Sequence, residues 1–135
     1  MCIRDRIRAA LATVGMTDWL AKLPDGLATM IGSGHRELSG GQAQRIALAR
    51  ALLDDKRRVM MFDEPTAHLD IETELELKER MLPLMDQRLV FFATHRLHWM
   101  KEMDWILVMD HGELVEQGTY AVSYTHLTLP TILLV

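Results

Sequence analysis

The sequence is poor in the residues that would support several classes of protein. Cys2 is the only cysteine among 135 residues, which excludes an intrachain disulfide framework and a cysteine-based metal cluster. No run approaches the roughly 18 apolar residues of a membrane helix, so we expect no membrane span within this sequence. The net charge of -4 lacks the basic excess typical of phosphate-backbone binding, which argues against nucleic acid as a partner.

The composition that remains is that of a globular domain. Hydrophobic residues make up 49% of the chain and charged residues 25%, as in ordinary folded proteins. The length suits about one domain. Disordered and low-complexity classes are therefore excluded.

The two ends of the sequence can be written by one DNA segment read in opposite directions. One spelling of Val-Ser-Tyr-Thr-His at 122–126 is GTCTCTTATACACAT, and its reverse complement encodes Met-Cys-Ile-Arg-Asp, which is 1–5. Both ends resemble the translated terminus of a transposon-derived sequencing adapter. We therefore expect 1–5 and 122–135 to be cloning or assembly scars around a native fragment of about 6–121; coincidence through codon degeneracy is the alternative.

Hydrophobic periodicity and turn residues predict alternating helices and strands. We expect Thr17 or Asp18 to cap the second helix, and Asp70 to cap a helix whose apolar face contains Ile71, Leu75, Leu82 and Met85. The acidic residues of 72–79 are expected on a solvated helix face. The predicted helices are 7–14, 18–22, 39–53, 71–85 and 97–103, and the predicted strands are 59–62, 89–93, 106–109 and 113–117. This order predicts an α/β layer with a parallel core, in which 59–62 is buried on both faces.

A glycine-rich helix start at Ser39-Gly40-Gly41-Gln42 is a candidate phosphate site. The first amides of a helix lack backbone partners, and the helix dipole favours an anion there. The Ser39 hydroxyl can add a donor. The same residues are equally explained by an ordinary serine N-cap followed by glycines.

Polar residues end both central strands. Asp63 and Glu64 follow 59–62, and His95 follows the strand 89–93. Carboxyl ends of parallel strands form the ligand edge of an α/β sheet. There Asp63 can hold Mg²⁺ through water, Glu64 can activate a water molecule, and His95 can contact a phosphate. Solvated loop carboxylates and a structural histidine are the alternatives.

The order and spacing of these motifs resemble one family. The segment 38–42 is similar to the signature motif of ABC-type ATPases, 59–64 to their Walker B strand with its catalytic glutamate, 67–70 to their D-loop, and 94–95 to their switch histidine. His68 departs from the small or polar residue usual at its position. The resemblance implies the C-terminal half of a P-loop NTPase nucleotide-binding domain, with part of the helical subdomain in 6–57 and an α/β part in 58–121.

The resemblance also implies a role for each site residue. Glu64 and His95 would be catalytic, and Asp63 would bind Mg²⁺. ATP would be bound by 39–42 and Asp70, although Asp70 is equally suited to cap its own helix. The implied partners are a second nucleotide-binding domain and a transmembrane domain, at the cytoplasmic face of the bacterial inner membrane.

One motif of the family is missing from the sequence. No G-x-x-x-x-G-K-[ST] phosphate loop occurs. In the family, the signature motif of one domain closes on ATP held by the phosphate loop of the other. We therefore expect this chain alone to bind ATP weakly or not at all, and the parent protein to hydrolyse it.

The segment 23–32 before the signature is similar to the exporter type of the family, with Ser33 where an acidic residue is usual. The segments 41–45, 94–97 and 108–119 most resemble bacterial thiol exporters required for cytochrome bd assembly. The resemblance implies ATP hydrolysis coupled to export. The alternatives are an importer ATPase subunit, a non-transport ABC ATPase and an inert truncated fragment.

Overall fold

The structure is a computed structural model that describes residues 2–54, 56–123 and 132–134. Two compact units are present. The described residues up to 56 form the first together with 66–84, and 57–65 form the second with the described residues from 85 onward. Within the described residues, none of the helices is both long and apolar enough to cross a bilayer. Most of the expected C-terminal scar, 124–131 and 135, lies outside the described residues.

The first unit is helical. Its helices are α1 (Ile3–Thr13), α2 (Thr17–Ala21), α3 (Gly40–Leu52) and α4 (Ile71–Met85), with a 3-10 turn at Gly26–Ala28. The end of α1 is a Schellman motif: Gly15 has a φ of 68°, and the N–H of Met16 donates to the carbonyl of Leu11 over 2.8 Å. Met16 is fully buried as a result. The helices enclose a core that includes Leu11, Val14, Leu48, Leu77 and Met81.

The predicted cap of α2 and the predicted apolar face of α4 were wrong. Thr17 is the first helical residue, and Met16 precedes it without a side-chain cap. Met85 is buried as predicted, but Ile71 and Leu75 are exposed, and Leu77 and Met81 are buried instead. The buried face of α4 is therefore rotated relative to the prediction, because the neighbours that cover a helix are decided by packing.

The second unit contains one five-stranded sheet. Its strands are β1 (Val59–Asp63), β2 (Leu89–Thr94), β3 (Ile106–Asp110), β4 (Glu113–Gly118) and β5 (Ile132–Leu134), in the order β1-β2-β5-β3-β4. Strands β1 and β2 are parallel, and β5 is antiparallel to both β2 and β3. Strands β2 and β3 therefore run in the same direction. A short helix α5 (Tyr120–Ser123) follows β4, and β3 and β4 form the predicted hairpin, with a bulge at Val108/Met109.

Aromatic packing organises the core of the second unit. The rings of Phe92 and Trp99 lie 4.3 Å apart between centroids, and those of Phe62 and Phe92 lie 5.8 Å apart. Trp99 belongs to the 3-10 helix Leu97–Glu102 and is fully buried. The aromatic cluster holds this helix against the strand that precedes it.

Burial of β1 on both faces was a wrong prediction. Met60 and Phe62 are buried, but Val59 is 54% exposed and Met61 is 78% exposed. The strand lies at the edge of the described sheet. Only one of its faces is covered by the described residues, so its burial alternates with the pleat.

Candidate functional site

The candidate site in the second unit lies where β1 and β2 end. Asp63 and Ala93 are register partners at the last step of the parallel ladder. The next residue, Glu64, donates its N–H to the carbonyl of Ala93 over 2.9 Å. Glu64 thus remains tied to the sheet after β1 has ended, and its side chain lies beside the residues that follow β2.

Glu64 and His95 are in direct contact. His95 Nδ1 lies 2.7 Å from Glu64 Oε1, and the backbone N–H of His95 donates to the same oxygen over 3.1 Å. An ionised carboxylate only accepts hydrogen bonds, so Nδ1 carries the proton toward Glu64. This tautomer leaves Nε2 of a neutral ring as an acceptor. The side chain of His95 is 63% exposed and that of Glu64 is 33% exposed, although Glu64 Oε2 itself is buried.

The backbone of Glu64 has a conformation that non-glycine residues rarely adopt. Its φ is 44°, in the left-handed region, which costs an L-residue about 1–2 kcal/mol. The hydrogen bonds to Ala93 and His95 hold it there. Such conformations cluster at functional sites, where the surrounding structure maintains them.

Asp63 is the last residue of β1. Its carboxylate is exposed. Among the described residues, no cluster of three or more histidine, cysteine, aspartate or glutamate side chains forms a ready metal cage. Mg²⁺ usually takes one or two protein carboxylates and completes its shell with water and substrate phosphate. A single exposed carboxylate at this edge fits that mode of binding.

In the first unit, Ser39 and Gln42 form a complete capping box at the start of α3. The N–H of Gln42 donates to Ser39 Oγ over 3.2 Å, and the N–H of Ser39 donates to Gln42 Oε1 over 3.2 Å. The interpretation as an ordinary N-cap is therefore correct for this structure. The hydroxyl hydrogen of Ser39 and the first-turn amides of Gly40 and Gly41 are the groups suited to an anion.

Asp70 is the N-cap of α4. Its Oδ1 accepts from the N–H of Thr73 over 2.9 Å, and its Oδ2 accepts from the Thr73 hydroxyl over 2.7 Å. The backbone hydrogen bond from Thr73, followed by the hydroxyl bond, lowers the pKa of Asp70. The cap prediction is confirmed, whereas the ATP-binding role of Asp70 stays a prediction.

A buried carboxylate near Asp70 was not anticipated. Glu74 is fully buried and accepts a hydrogen bond from the hydroxyl of Thr66, which is also fully buried. The expectation that the whole run 72–79 is solvated was therefore wrong at Glu74. Spacing contained the signal, since Glu74 lies three and seven residues before the buried Leu77 and Met81.

The structure thus brings the candidate residues together in two groups. Asp63, Glu64 and His95 lie at the end of the parallel strands in the second unit. The capping box and the Asp70 cap belong to the first unit.

Comparison with known proteins identifies the family. The family model described as "ABC transporter" matches residues 3–67. Over these residues the chain is similar to the ATP-binding domain of ABC transporters, and its α/β fold is consistent with a partial P-loop NTPase domain. The predicted resemblance to this family and the predicted fold class are confirmed.

The relatives are named as parts of membrane transport systems. The chain is 60% identical over 116 residues to the glutathione/L-cysteine transport system ATP-binding/permease protein CydC of Bacillus subtilis, covering 86% of this chain and 20% of the relative. It is 42% identical over 120 residues to an ATP-dependent lipid A-core flippase of Albidiferax ferrireducens, covering 89% and 20%. The chain thus spans 20% of the length of these relatives.

A solved structure shares the fold. A bacterial Atm1-family ABC exporter with ATP bound superimposes with a TM-score of 0.75 at 37% sequence identity. The match covers 87% of this chain and 20% of that one.

Proposed function

We propose that this chain is the C-terminal part of an ATP-binding domain whose parent protein couples ATP hydrolysis to export across a membrane. The observation that carries the proposal is the 2.7 Å contact between Glu64 and His95 at the ends of two parallel strands. The similar exporter structure and the flippase among the relatives favour export over an importer subunit or a non-transport ATPase. The similarity to CydC supports a small thiol compound as the cargo.

Glu64 is the general base of the proposed reaction. Its carboxylate accepts a proton from water as the water oxygen bonds to the γ-phosphorus and the bond to the ADP oxygen breaks. His95 orients this carboxylate through Nδ1–H, and its Nε2 would accept a hydrogen bond from the attacking water. Asp63 would hold Mg²⁺, which supplies charge neutralisation for the phosphates.

The start of α3 serves a second copy of the domain in this proposal. The chain carries no phosphate loop of its own, so the amides of Gly40 and Gly41 and the Ser39 hydroxyl would contact the γ-phosphate of ATP held by another domain. The partners are that second nucleotide-binding domain and a transmembrane domain. The working location is the cytoplasmic face of a bacterial inner membrane.

The test is Glu64→Gln in the full-length parent protein assembled with its partner. We expect turnover to fall by about 10²- to 10⁴-fold, because the amide cannot accept the proton, while ATP remains bound. The matched control is Glu113→Gln, which changes an exposed carboxylate in β4 and should leave turnover unchanged. Normal hydrolysis by Glu64→Gln would exclude Glu64 as the base.

A further inference from the structure

The segment 66–70, between β1 and α4, packs against the N-terminus of α3. A Cβ on Gly40 would lie 3.6 Å from Cδ2 of the His68 ring. A Cβ on Gly41 would lie 3.3 Å from the His68 carbonyl oxygen and 3.3 Å from Leu69 Cδ2. Gly41 therefore does more than expose an amide, because its missing side chain lets another backbone approach the helix closely.

Gln44 lies one turn after Gly40 in α3 and forms a hydrogen bond with segment 66–70. Its Oε1 accepts a hydrogen bond from the backbone N–H of His68 over 3.0 Å. Gly40 and Gln44 are four residues apart, so they lie on one face of the helix. The helix thus supplies a space for His68 and a hydrogen-bond acceptor for it on the same face.

The ends of the segment are anchored differently from its middle. Thr66 is buried and donates to the buried Glu74, and Asp70 is fixed by its cap contacts with Thr73. Ala67 and His68 are exposed. The bond to Gln44 therefore attaches the exposed middle of the segment to the helix start.

We propose that Gln44 is a positioning residue for ATP hydrolysis, which holds the exposed middle of segment 66–70 against Gly40 and Gly41 so that both form one ligand-facing surface. This inference rests on the proposed function. In the proposed function, ATP is first bound by a phosphate loop outside this sequence. The surface formed by segment 66–70 with Gly40 and Gly41 contacts ATP only after the two nucleotide-binding domains have closed on each other. Loss of Gln44 therefore affects the closed, hydrolysing state more than the initial binding of ATP.

The test compares Gln44→Met with Gln44→Glu in the full-length protein with its partner. Methionine keeps the length of the side chain and removes the oxygen acceptor, whereas glutamate retains an acceptor for the His68 N–H. Gln117→Met, at an exposed position of β4, controls for the substitution itself. Three quantities are measured: amide hydrogen exchange of the peptide containing 66–70, kcat for ATP hydrolysis, and KM for ATP.

For Gln44→Met we expect exchange to accelerate and kcat to fall, each by roughly 2- to 10-fold, the factor that corresponds to one hydrogen bond. KM should stay within about twofold, because the ATP-capturing loop is unchanged. Gln44→Glu should keep the slow exchange of the unsubstituted protein. Its kcat should be closer to that of the unsubstituted protein than the kcat of Gln44→Met is. A purely structural role would not predict rescue by glutamate together with a change confined to kcat.

Unchanged exchange in Gln44→Met would overturn the proposal, and so would faster exchange with an unchanged kcat. A wild-type protein that does not hydrolyse ATP would refute the proposed function and the catalytic part of this inference. Because hydrogen exchange is measured without turnover, the exchange rates would still show whether Gln44 holds segment 66–70.

Discussion

Thr66 donates a hydrogen bond from its hydroxyl to the carboxylate of Glu74, and both side chains are completely buried. Thr66 follows Asp63 and Glu64 at the end of β1, and Glu74 lies in the first turns of α4. The contact connects the start of segment 66–70 to the helix that follows it. A buried polar pair of this kind is stable only while both members are present.

Glu74→Ala is therefore expected to destabilise the ATP-binding domain by about 1–3 kcal/mol, because it leaves the buried Thr66 hydroxyl without this acceptor. Denaturant unfolding of the domain measures the change. Glu72→Ala is the matched control, since Glu72 is an exposed glutamate of the same helix. Equal stabilities of the two variants would contradict the buried contact.

Removal of the His95 side chain should slow hydrolysis without unfolding the protein. His95→Ala deletes the 2.7 Å contact with Glu64 Oε1. A hydrogen bond to a charged group contributes about 1.5–3 kcal/mol, so kcat should fall on the order of 10- to 100-fold. The control is His111→Ala, whose side chain is 96% exposed in the β3–β4 turn. Equal kcat values in both variants would show that the imidazole does not orient the base.

The glycines at the start of α3 should respond differently to alanine. Gly40→Ala meets only an ordinary contact at 3.6 Å and should stabilise the helix by up to about 1 kcal/mol. Gly41→Ala is crowded by a backbone oxygen at 3.3 Å, and the crowding should cancel or reverse that gain. Thermal unfolding of both variants gives the comparison. A more stable Gly41→Ala than Gly40→Ala would refute the close approach of segment 66–70.

The cap at Asp70 predicts a pH dependence of stability. The Thr73 hydrogen bonds lower the pKa of Asp70 from its ordinary 3.8 in the folded protein. A lowered folded-state pKa means that the contribution is fully present above the ordinary value and is lost as pH falls through the lowered one.

Asp70→Asn retains a capping oxygen but does not titrate. As pH falls from about 5, Asp70→Asn should therefore lose less stability than the unsubstituted protein does. Asp70→Ala should be less stable than the unsubstituted protein already at neutral pH. Unfolding measured across this range tests both expectations. An unchanged acid dependence in Asp70→Asn would show that another carboxylate is responsible.

Local signals were sufficient for several elements of the fold. The limits of α4 agree with the predicted 71–85, and Ser39 and Asp70 cap α3 and α4 as expected. Helix periodicity and side-chain caps involve residues within one or two turns, so they can be recognised from neighbouring residues in the sequence. The ends of β1 and β2 were equally predictable from an apolar run followed by polar residues.

Burial was less predictable, because it depends on what covers a residue from elsewhere in the chain. Met61 is exposed although it lies in a continuous apolar run, and Glu74 is buried although it lies in an acidic one. The composition of the neighbouring residues indicates a tendency toward burial or exposure, but packing against distant parts of the chain decides which face of a strand or helix is buried.

The family motifs, the residue types at the strand ends and the caps of the principal helices could be recognised from the order of residues, because they depend on chemistry over a few neighbouring positions. The bond between His95 and Glu64 spans 31 residues and the bond between Gln44 and His68 spans 24, so neither could be recognised before the chain was folded. Those contacts join distant segments, and their distances are set by the packing of strands and helices.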